Sequence, residues 1–564
     1  MSKKQYLFAF FGTILLFVSA LLLFAVPKSD FSASAHDIDA ERFDPSEFSQ
    51  LSYGIYWYQS GNDIPVAAKD ATNYDPQKPT LIYAHGMKFN HEGLMCREGL
   101  SLKDNNYEYM TKKAGFPEYR YEGEFYQTLI DRGYNVGVFF WNQLADCYFN
   151  EDDKFWVSSP MNGLYYTYVD SNGNYCSTET TDETNPSSSV AVLYRDALVE
   201  ALGKDFSGHL QLVGHSMGGQ LTLAVSQALC AAYDRGDVSS RYLPDRVTLL
   251  DPFLGSTPCY GEVEATGEKL PTEGKPTALL AAEAAENIAK HGIPIEGYAV
   301  NEMAYSYYNM PLLGVGDKEL IAKIKKIYAD NITWVYLKFL LNVYTEVAAN
   351  LGGMHVEMPF VPTHTMAVDY YFSTMYMNTE TDNAGVTVPS FKVEDDYIRR
   401  LKGTSFRQEP DERISKPNPI YMHDCSYVRI DGVTQKNTTA TDLTTAVSGT
   451  VTEREQVLQV RLLLDGEVIQ ETSTLKGKYL FADVEEGEYT VAFYYNDQMV
   501  GEKTNVCVSS YDDAVTVEKT ETPLPEEKKF TLTRDQLIFG IAGLIFVIAV
   551  IIELAVLSRK RKKC

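Results

Sequence analysis

The chain has 564 residues, enough for roughly two to four domains of ordinary size. Its formal net charge is −26, and residues 28–536 alone contain 43 basic and 75 acidic side chains. Because so acidic a surface repels phosphate groups, the composition argues against nucleic acid as a partner. With 45% apolar and 12% aromatic residues, the chain can bury substantial cores and does not have the composition of a disordered protein.

Residues 1–35 have the pattern of a signal peptide or an N-terminal anchor. Lys3 and Lys4 precede an uncharged apolar run at 5–26, and an Ala-Ser-Ala sequence follows at 33–35. This order is typical of a secretory signal, although the apolar run is also long enough to span a bilayer. These residues are compatible with cleavage after the Ala-Ser-Ala sequence and also with a retained anchor.

The apolar run at 537–557 predicts a transmembrane helix. As a helix it would be about 31 Å long, enough to cross a bilayer. The basic tail at 558–564 predicts a cytoplasmic C-terminus by the positive-inside rule, with residues 36–536 outside. We therefore expect a single-pass protein of the cell membrane with an extracellular ectodomain, on a bacterial cell surface.

From about Leu81 to Tyr371, short runs rich in β-branched residues alternate with helical stretches. This alternation predicts an α/β fold with a doubly wound, mostly parallel sheet. The predicted strands lie in TLIYAHG (80–86), YNVGVFFW (134–141), HLQLVGHS (209–216), RVTLLDP (246–252) and IPIEGYAV (293–300). The predicted helices are Glu124–Arg132, Val190–Leu202, Gln220–Tyr233 and Thr277–His291, the last ended by Gly292.

Residues 440–518 have a different pattern, in which short alternating strands are separated by the turn sequences DGE, LKGK and EEGE. This pattern predicts a small all-β sandwich. The sequences GKYLFADV at 477–484 and GEYTV at 487–491 resemble the transthyretin-like repeat modules of bacterial surface proteins, which are usually stalks. A linker at 519–536 is expected between this module and the membrane.

The strongest chemical signal is the sequence GHSMGG at 214–219, where an apolar strand leads directly into a helical stretch. A strand-to-helix turn this tight exposes the hydroxyl of Ser216 above the sheet, at a helix N-terminus that favours developing negative charge. The pattern predicts that Ser216 is a nucleophile. A glycine-rich turn that only packs a helix on a sheet is the structural alternative.

The strand, the GHSMGG sequence and the helix resemble the nucleophile elbow of the α/β-hydrolase fold, and this spelling is frequent in lipases and esterases. The resemblance covers about 80–375. It implies an α/β-hydrolase domain at 36–435, with cap inserts at 144–189 and 255–360. It also implies a serine hydrolase acting on carboxylic esters, with an ester or lipid-like substrate, no cofactor and no metal.

A serine hydroxyl needs a base to take its proton and an acid to orient that base. The fold expects the base just before the last helix, where His364 is predicted to lie in a loop. The sequence around His364 is similar to the HxRxxxYF-type stretch of pancreatic-type lipases, with Met366 in place of the arginine. His355 is the alternative base, and His215, beside the nucleophile, is expected to point away from it.

The candidate acid is Asp251, which ends the strand after the elbow helix and precedes Pro252. This sequence resembles the LDP of the same lipase group. The usual acid position of the fold, one strand later, holds Asn301 and Glu302, so Glu302 is the rival acid.

The oxyanion hole of such an enzyme needs two backbone N–H donors. The residue after the nucleophile, Met217, is expected to supply one. The sequence Tyr-Ala-His-Gly-Met at 83–87 resembles the oxyanion loop and nominates Met87 for the other, with His85 and Gly86 shaping the loop.

The sequence suggests roles for two insertions in the α/β-hydrolase domain. The insert at 144–189 is expected to be an exposed loop near the site entrance. Apolar residues at near-helical spacing in Asp317–Asn350, interrupted around Asn331, predict either a lid or ordinary core helices.

Two classes of function fit these features. The first is the cell-surface ester hydrolase, with an amidase or thioesterase as variants on the same residues. The second is a non-catalytic binding or adhesion protein that uses the hydrolase fold as a scaffold, because a fold alone does not guarantee activity.

Overall fold

A computed structural model of the chain describes residues between 52 and 520, with gaps. The chain divides into two units, and all the described residues belong to the first, Met1–Glu521. Within these ranges, no helix is both long and apolar enough to cross a membrane. The apolar segments at 5–26 and 537–557 lie outside the described residues, so the signal or anchor and the transmembrane helix stay predictions. The described residues are 52–87, 99–100, 124–145, 152–160, 163–172, 174–179, 188–255, 257–300, 318–337, 360–376, 381–382, 385–411, 413, 422, 425–431, 436–438, 445–452, 456–509 and 514–520.

Eleven of the described strands form one large mixed sheet, which gives the chain an α/β fold. These strands are β1 (Gly54–Gln59), β2 (Asn62–Ala67), β3 (Thr80–Ala84), β4 (Asn135–Phe140), β7 (Leu210–His215), β8 (Arg246–Leu250), β13 (Ile295–Ala299), β14 (Thr333–Tyr336), β15 (Ser405–Pro410), β16 (Cys425–Asp431) and β17 (Lys436–Thr438). Their order is β17-β16-β15-β14-β13-β8-β7-β3-β4-β1-β2. The strands from β15 to β4 are parallel, and antiparallel strands extend both edges.

The five strands predicted from the sequence are confirmed as β3, β4, β7, β8 and β13, neighbours in the parallel part of the sheet. Every residue of these strands is buried, because helices cover both faces of the sheet. The register pairs His215 with Leu250 and Leu250 with Tyr298, so these strands end at one common edge. The residues that follow them therefore lie close together.

The four predicted helices are also confirmed, with small shifts at their ends. The helix after the GHSMGG turn begins three residues earlier than predicted, directly after Ser216. Gly292 follows the end of its helix with a φ of +75°, a conformation that glycine adopts without strain. The described helices are α1 (Phe125–Asp131), α2 (Asn142–Ala145), α3 (Val190–Leu202), α4 (Met217–Asp234), α5 (Thr277–Lys290), α6 (Lys318–Asn331), α7 (Phe360–Ser373) and α8 (Asp395–Arg400).

The interruption predicted around Asn331 in the stripe at Asp317–Asn350 is confirmed, but the residues directly after it form a strand, so helical spacing is wrong there, and 338–350 lie outside the described residues. Helix α6 ends at Asn331, and β14 follows as a strand between β13 and β15. Its sequence, TWVY, is a short run of β-branched and aromatic residues that fits a strand buried between two neighbours. Ile324 and Tyr328 of α6 are buried in the main core, which favours the core role of α6 over a lid.

Part of the insert at 144–189 is buried, so the prediction of an exposed loop is wrong there. Residues 152–157 include three charged side chains, and all six residues are buried. Further along the insert, β5 (Tyr165–Val169) and β6 (Tyr175–Glu179) pair as an antiparallel hairpin. The remaining short strands of the domain are β9 (Pro258–Cys259), β10 (Glu262–Val263), β11 (Glu268–Lys269) and β12 (Lys275–Pro276).

Two further sheets lie at 446–520 and form the small β-module. Its strands are β18 (Ala446–Val451), β19 (Gln459–Leu464), β20 (Glu467–Ser473), β21 (Lys478–Phe481), β22 (Gly487–Tyr495), β23 (Gln498–Val508) and β24 (Ala514–Thr520). One sheet has the order β21-β18-β24 and the other β20-β19-β22-β23. The rings of Tyr479 in the first sheet and Phe493 in the second are 5.4 Å apart, so the two sheets pack against each other.

The β-module packs against the α/β domain. Leu475 is buried in the main core of that domain, and Lys476 forms an ion pair with Asp245. The hydroxyl of Tyr233, at the end of α4, accepts a hydrogen bond from the N–H of Val457 at 2.7 Å. Asp245 immediately precedes β8, so the module contacts the edge of the sheet where the parallel strands begin, opposite the edge where they end.

Candidate active site

Ser216 lies in the turn between β7 and α4 with a strained backbone. Its φ is 57° and its ψ is −126°, a combination that residues other than glycine rarely adopt. Three backbone hydrogen bonds hold this turn. The N–H of Ser216 donates to Leu250 at 3.0 Å, and its carbonyl accepts from Gly219 at 2.9 Å and from Phe253 at 2.8 Å. The strained backbone is therefore held by the end of β8, by the loop that follows it and by the first turn of α4.

The glycines around Ser216 allow other backbone segments to approach it closely. A Cβ on Gly218 would lie 2.3 Å from the carbonyl oxygen of Ala84 at the end of β3. A Cβ on Gly86 would lie 2.9 Å from the Cβ of Ser216. The loop that contains Met87 therefore passes directly beside Ser216. Met217 is the first residue of α4, where backbone N–H groups have no acceptor within the helix.

Asp251 and His364 form a short hydrogen bond. The Nδ1 of His364 lies 2.6 Å from Oδ2 of Asp251, and the other carboxylate oxygen accepts from the N–H of Val300 at 2.9 Å. The side chain of Asp251 is 1% exposed and that of His364 is 15% exposed. Asp251 directly follows β8, and the bond between Ser216 and Leu250 holds it next to the nucleophile turn. The structure thus joins Asp251 and His364 by a hydrogen bond and places them beside the turn that contains Ser216.

His364 lies inside a helix, and the predicted loop position is wrong. Helix α7 begins at Phe360, four residues before the histidine. Pro362 falls in the first turn of this helix, where a proline is tolerated because its missing N–H would have no helical acceptor. The proline does not mark a loop here, since the backbone around it is already helical.

Two other predicted histidines have structural contacts. The Nε2 of His215 lies 3.1 Å from the backbone carbonyl of His364, so His215 holds the helix of that residue. The ring of His85 stacks on Trp141 at 5.3 Å, and Trp141 donates its indole N–H to the carbonyl of His85 at 3.1 Å. The roles expected for them, His85 shaping the oxyanion loop and His215 pointing away from Ser216, both stay predictions.

The two rival residues, His355 and Glu302, lie outside the described residues. Among the residues that the structure describes, no cluster of His, Cys, Asp and Glu side chains is arranged to hold a metal ion.

Sequence reasoning missed a buried carboxyl behind the nucleophile turn, Asp152. It has no exposed surface, and its Oδ2 lies 2.5 Å from Oγ1 of Thr277. That hydroxyl also lies 2.7 Å from the carbonyl of Gly255, and its single proton cannot serve both acceptors. A proton on Asp152, donated to Thr277, satisfies both contacts. In the sequence the run DDK gives no signal for burial, because charged residues are usually exposed.

Burial raises the pKa of Asp152 above its ordinary value of 3.8, although hydrogen bonds with Thr257, Thr277 and Gln220 act in the opposite direction. The unfolded chain therefore releases this proton at a lower pH than the folded protein does. Between pH 3.8 and the raised pKa, the contribution of Asp152 to the free energy of unfolding decreases as the pH rises.

Asp152→Asn removes this titration, so we expect its stability relative to the wild type to increase as the pH rises from 3.8 to the raised pKa. Urea denaturation across this range measures the difference, with the exposed Asp205→Asn as the control. A difference that stays constant with pH, or that falls, would contradict a raised pKa for Asp152.

Comparison with known proteins gives only distant likenesses. No protein-family model and no curated protein matches the chain. Among solved structures, Est1E from Butyrivibrio proteoclasticus is 12% identical, with a TM-score of 0.20 over 54% of this chain and 98% of that one. Esterase B from Lactobacillus rhamnosis is 14% identical, with a TM-score of 0.20 over 60% and 90% of the two chains. A mutant form of the esterase rPPE is 12% identical, with a TM-score of 0.25 over 63% and 92%.

These identities and TM-scores are too low to assign a family or an activity to this chain. What the chain can do chemically depends on its own residues. Those residues are a serine on a strained turn and, at the same edge of the sheet, a histidine bonded to a buried carboxylate.

Proposed function

We propose that this chain is a serine hydrolase of the α/β-hydrolase fold that cleaves carboxylic esters through an acyl-enzyme. The observation that supports this most strongly is the 2.6 Å contact between Nδ1 of His364 and Asp251, beside the strained turn of Ser216. The order of these residues along the chain, Ser216, Asp251 and His364, is that of the fold family. The parallel strands in the order β13-β8-β7-β3-β4 support the same fold.

Each residue has a defined role in this proposal. Asp251 accepts the Nδ1 proton of His364, which leaves the lone pair of the histidine on Nε2. Nε2 takes the hydroxyl proton of Ser216 as the serine oxygen attacks the ester carbonyl. The histidine then gives this proton to the leaving alcohol, and an acyl-serine ester forms. Water, activated by the same nitrogen, hydrolyses the acyl-enzyme and restores Ser216.

The negative oxygen of the tetrahedral intermediate needs donors already in place. The backbone N–H groups of Met217 and Met87 are the proposed pair, each contributing about 3 kcal/mol to lowering the barrier. The close approach of Gly86 to Ser216 supports this assignment, because it brings the loop of Met87 beside the nucleophile. All groups in this mechanism belong to the protein, the substrate or water, so the proposal includes no cofactor or metal.

The location of the enzyme is proposed from the sequence. The apolar segments at 5–26 and 537–557 and the basic tail at 558–564 support export and anchoring in a cell membrane. In this arrangement the acidic ectodomain faces outward, and its substrate is an ester or lipid-like molecule outside the cell.

A fluorophosphonate probe tests the proposed function directly, because it reacts covalently with an activated serine. We expect the folded ectodomain to be labelled, the heat-denatured protein to remain unlabelled, and peptide mapping by mass spectrometry to find the adduct on Ser216. A folded protein without the adduct would refute the hydrolase and favour the non-catalytic binding protein. A panel of p-nitrophenyl esters with short and long acyl chains, beside matching amides and thioesters, then identifies the bond that is cleaved.

A further inference from the structure

A polar cluster centred on the carboxylate of Glu296 lies buried between the sheet and α7. Glu296 has no exposed surface, and both its oxygens accept hydrogen bonds. The donors are Arg246 Nε at 2.9 Å, Arg246 Nη2 at 2.7 Å, Thr248 Oγ1 at 2.8 Å, Tyr371 OH at 2.9 Å and Tyr298 OH at 3.0 Å. We call these five residues the Glu296 cluster.

The Glu296 cluster is fixed by its surroundings. A buried carboxylate is tolerated only with an opposite charge and a full set of donors, and Arg246 supplies the charge. The guanidinium of Arg246 also donates to the carbonyls of Ser390 at 2.7 Å and Val393 at 2.8 Å. Glu296 therefore cannot move without breaking several hydrogen bonds, and it provides a rigid point of attachment inside the domain.

Tyr371 is the member of the cluster that belongs to α7. Arg246 and Thr248 lie on β8, and Tyr298 lies on β13. Gln211 of β7 donates to the hydroxyl of Tyr371 at 2.6 Å. Burial raises the pKa of Tyr371 far above its ordinary value, so the hydroxyl keeps its proton and donates it to Glu296. Tyr371 thus connects the helix to three adjacent strands.

The same face of α7 presents His364, seven residues before Tyr371. Seven residues are nearly two helical turns, so the two side chains lie on one face about 10 Å apart along the axis. The helix is also held at its other end, where Nε2 of His215 lies 3.1 Å from the carbonyl of His364. Attachments at two places along a helix restrict both its rotation and its position along its axis.

We propose that Tyr371 is a positioning residue for the reaction, which holds α7 against Glu296 and so keeps His364 in contact with Asp251. This role rests on the proposed function of His364 as the base. Strand β8 connects Glu296 to the acid. Its residues Arg246 and Thr248 bind Glu296, and the strand ends immediately before Asp251. Glu296 therefore joins the helix of the base to the strand of the acid.

The experiment compares Tyr371→Phe with Tyr298→Phe. Each substitution removes one hydroxyl from Glu296 and keeps a buried ring, but only Tyr371 lies on α7. Both variants are expected to fold, as checked by circular dichroism and urea denaturation. For an ester that the wild type hydrolyses, we expect Tyr371→Phe to lower kcat about tenfold with KM unchanged, because a small displacement of the base slows the chemical step. Tyr298→Phe should change kcat by less than about twofold.

Equal losses of kcat in both variants would mean that Tyr371 only stabilises the fold, and no loss in either would mean that it does not position His364. Either result overturns the proposal.

A second measurement does not depend on activity. The proton on Nδ1 of His364, shared with Asp251 over 2.6 Å, is expected to give a downfield proton resonance in the NMR spectrum. In Tyr371→Phe this resonance should shift and exchange faster with water than in the wild type, and in Tyr298→Phe it should not change. An unchanged resonance in Tyr371→Phe overturns the positioning role, whereas a wild type that neither labels nor turns over esters refutes the proposed function.

Discussion

Ser216→Ala is expected to lower kcat for a p-nitrophenyl ester by about 10⁶-fold, because the oxygen that forms the acyl-enzyme is removed. The backbone of the turn should keep its conformation, since its hydrogen bonds to Leu250, Gly219 and Phe253 involve only main-chain atoms. The loss should therefore appear in kcat while the protein stays folded. Initial-rate kinetics measure kcat, and thermal denaturation checks the fold.

The matched control for this experiment is Ser207→Ala, an exposed serine just before β7. It should keep the full kcat of the wild type. The residual rate of Ser216→Ala reports how much the remaining groups stabilise the transition state without covalent chemistry. If Ser216→Ala kept most of the activity of the wild type, another residue would be the nucleophile and the proposed mechanism would be wrong.

The central sheet and the candidate site could be predicted because both follow from local sequence patterns. A parallel strand buried on both faces is mostly apolar, and β3, β7 and β8 are rich in apolar residues although β7 includes Gln211 and β8 includes Arg246. Ser216 directly follows β7, and Asp251 directly follows β8. Since parallel strands end at a common edge, each could be placed near the other from the sequence alone.

Other features depend on contacts that a single sequence does not record. Arg246 and Glu296 are far apart in the chain and become neighbours only through the register that pairs Thr248 with Glu296. The burial of Asp152 depends on Thr277, which belongs to a distant helix. The helical position of His364 is hidden in the sequence because Pro362 suggests a loop, although a proline also fits the first turn of a helix.

The contacts of the β-module with the α/β domain also could not be predicted from the sequence. The turn sequences correctly predicted its short strands, but the resemblance to stalk modules gave no sign that Leu475 would enter the core of the neighbouring domain. Lys476, next to it, has a φ of 49° in the turn and reaches Asp245. Contacts of this kind depend on the matching shape of a second surface, which the pattern of one segment does not contain.

The second large effect is expected for Asp251→Asn, which should lower kcat about 10⁴-fold with the fold preserved. Asp251 has a φ of 38°, a conformation that asparagine also tolerates, so the substitution adds no backbone strain. Glu302→Gln is the matched control for the rival acid, and we expect it to change kcat little. A large loss in Glu302→Gln together with an active Asp251→Asn would assign the acid to Glu302.

The size of the Asp251→Asn effect follows from the contacts of both carboxylate oxygens. One oxygen accepts from the N–H of Val300 at 2.9 Å, so the carbonyl oxygen of the new amide must stay there. The amide NH₂ then faces Nδ1 of His364, which can accept this hydrogen bond only without its own proton. The neutral imidazole is forced to carry its proton on Nε2, the nitrogen that must take the proton of Ser216. The variant would therefore keep all three residues in place and still lack a base.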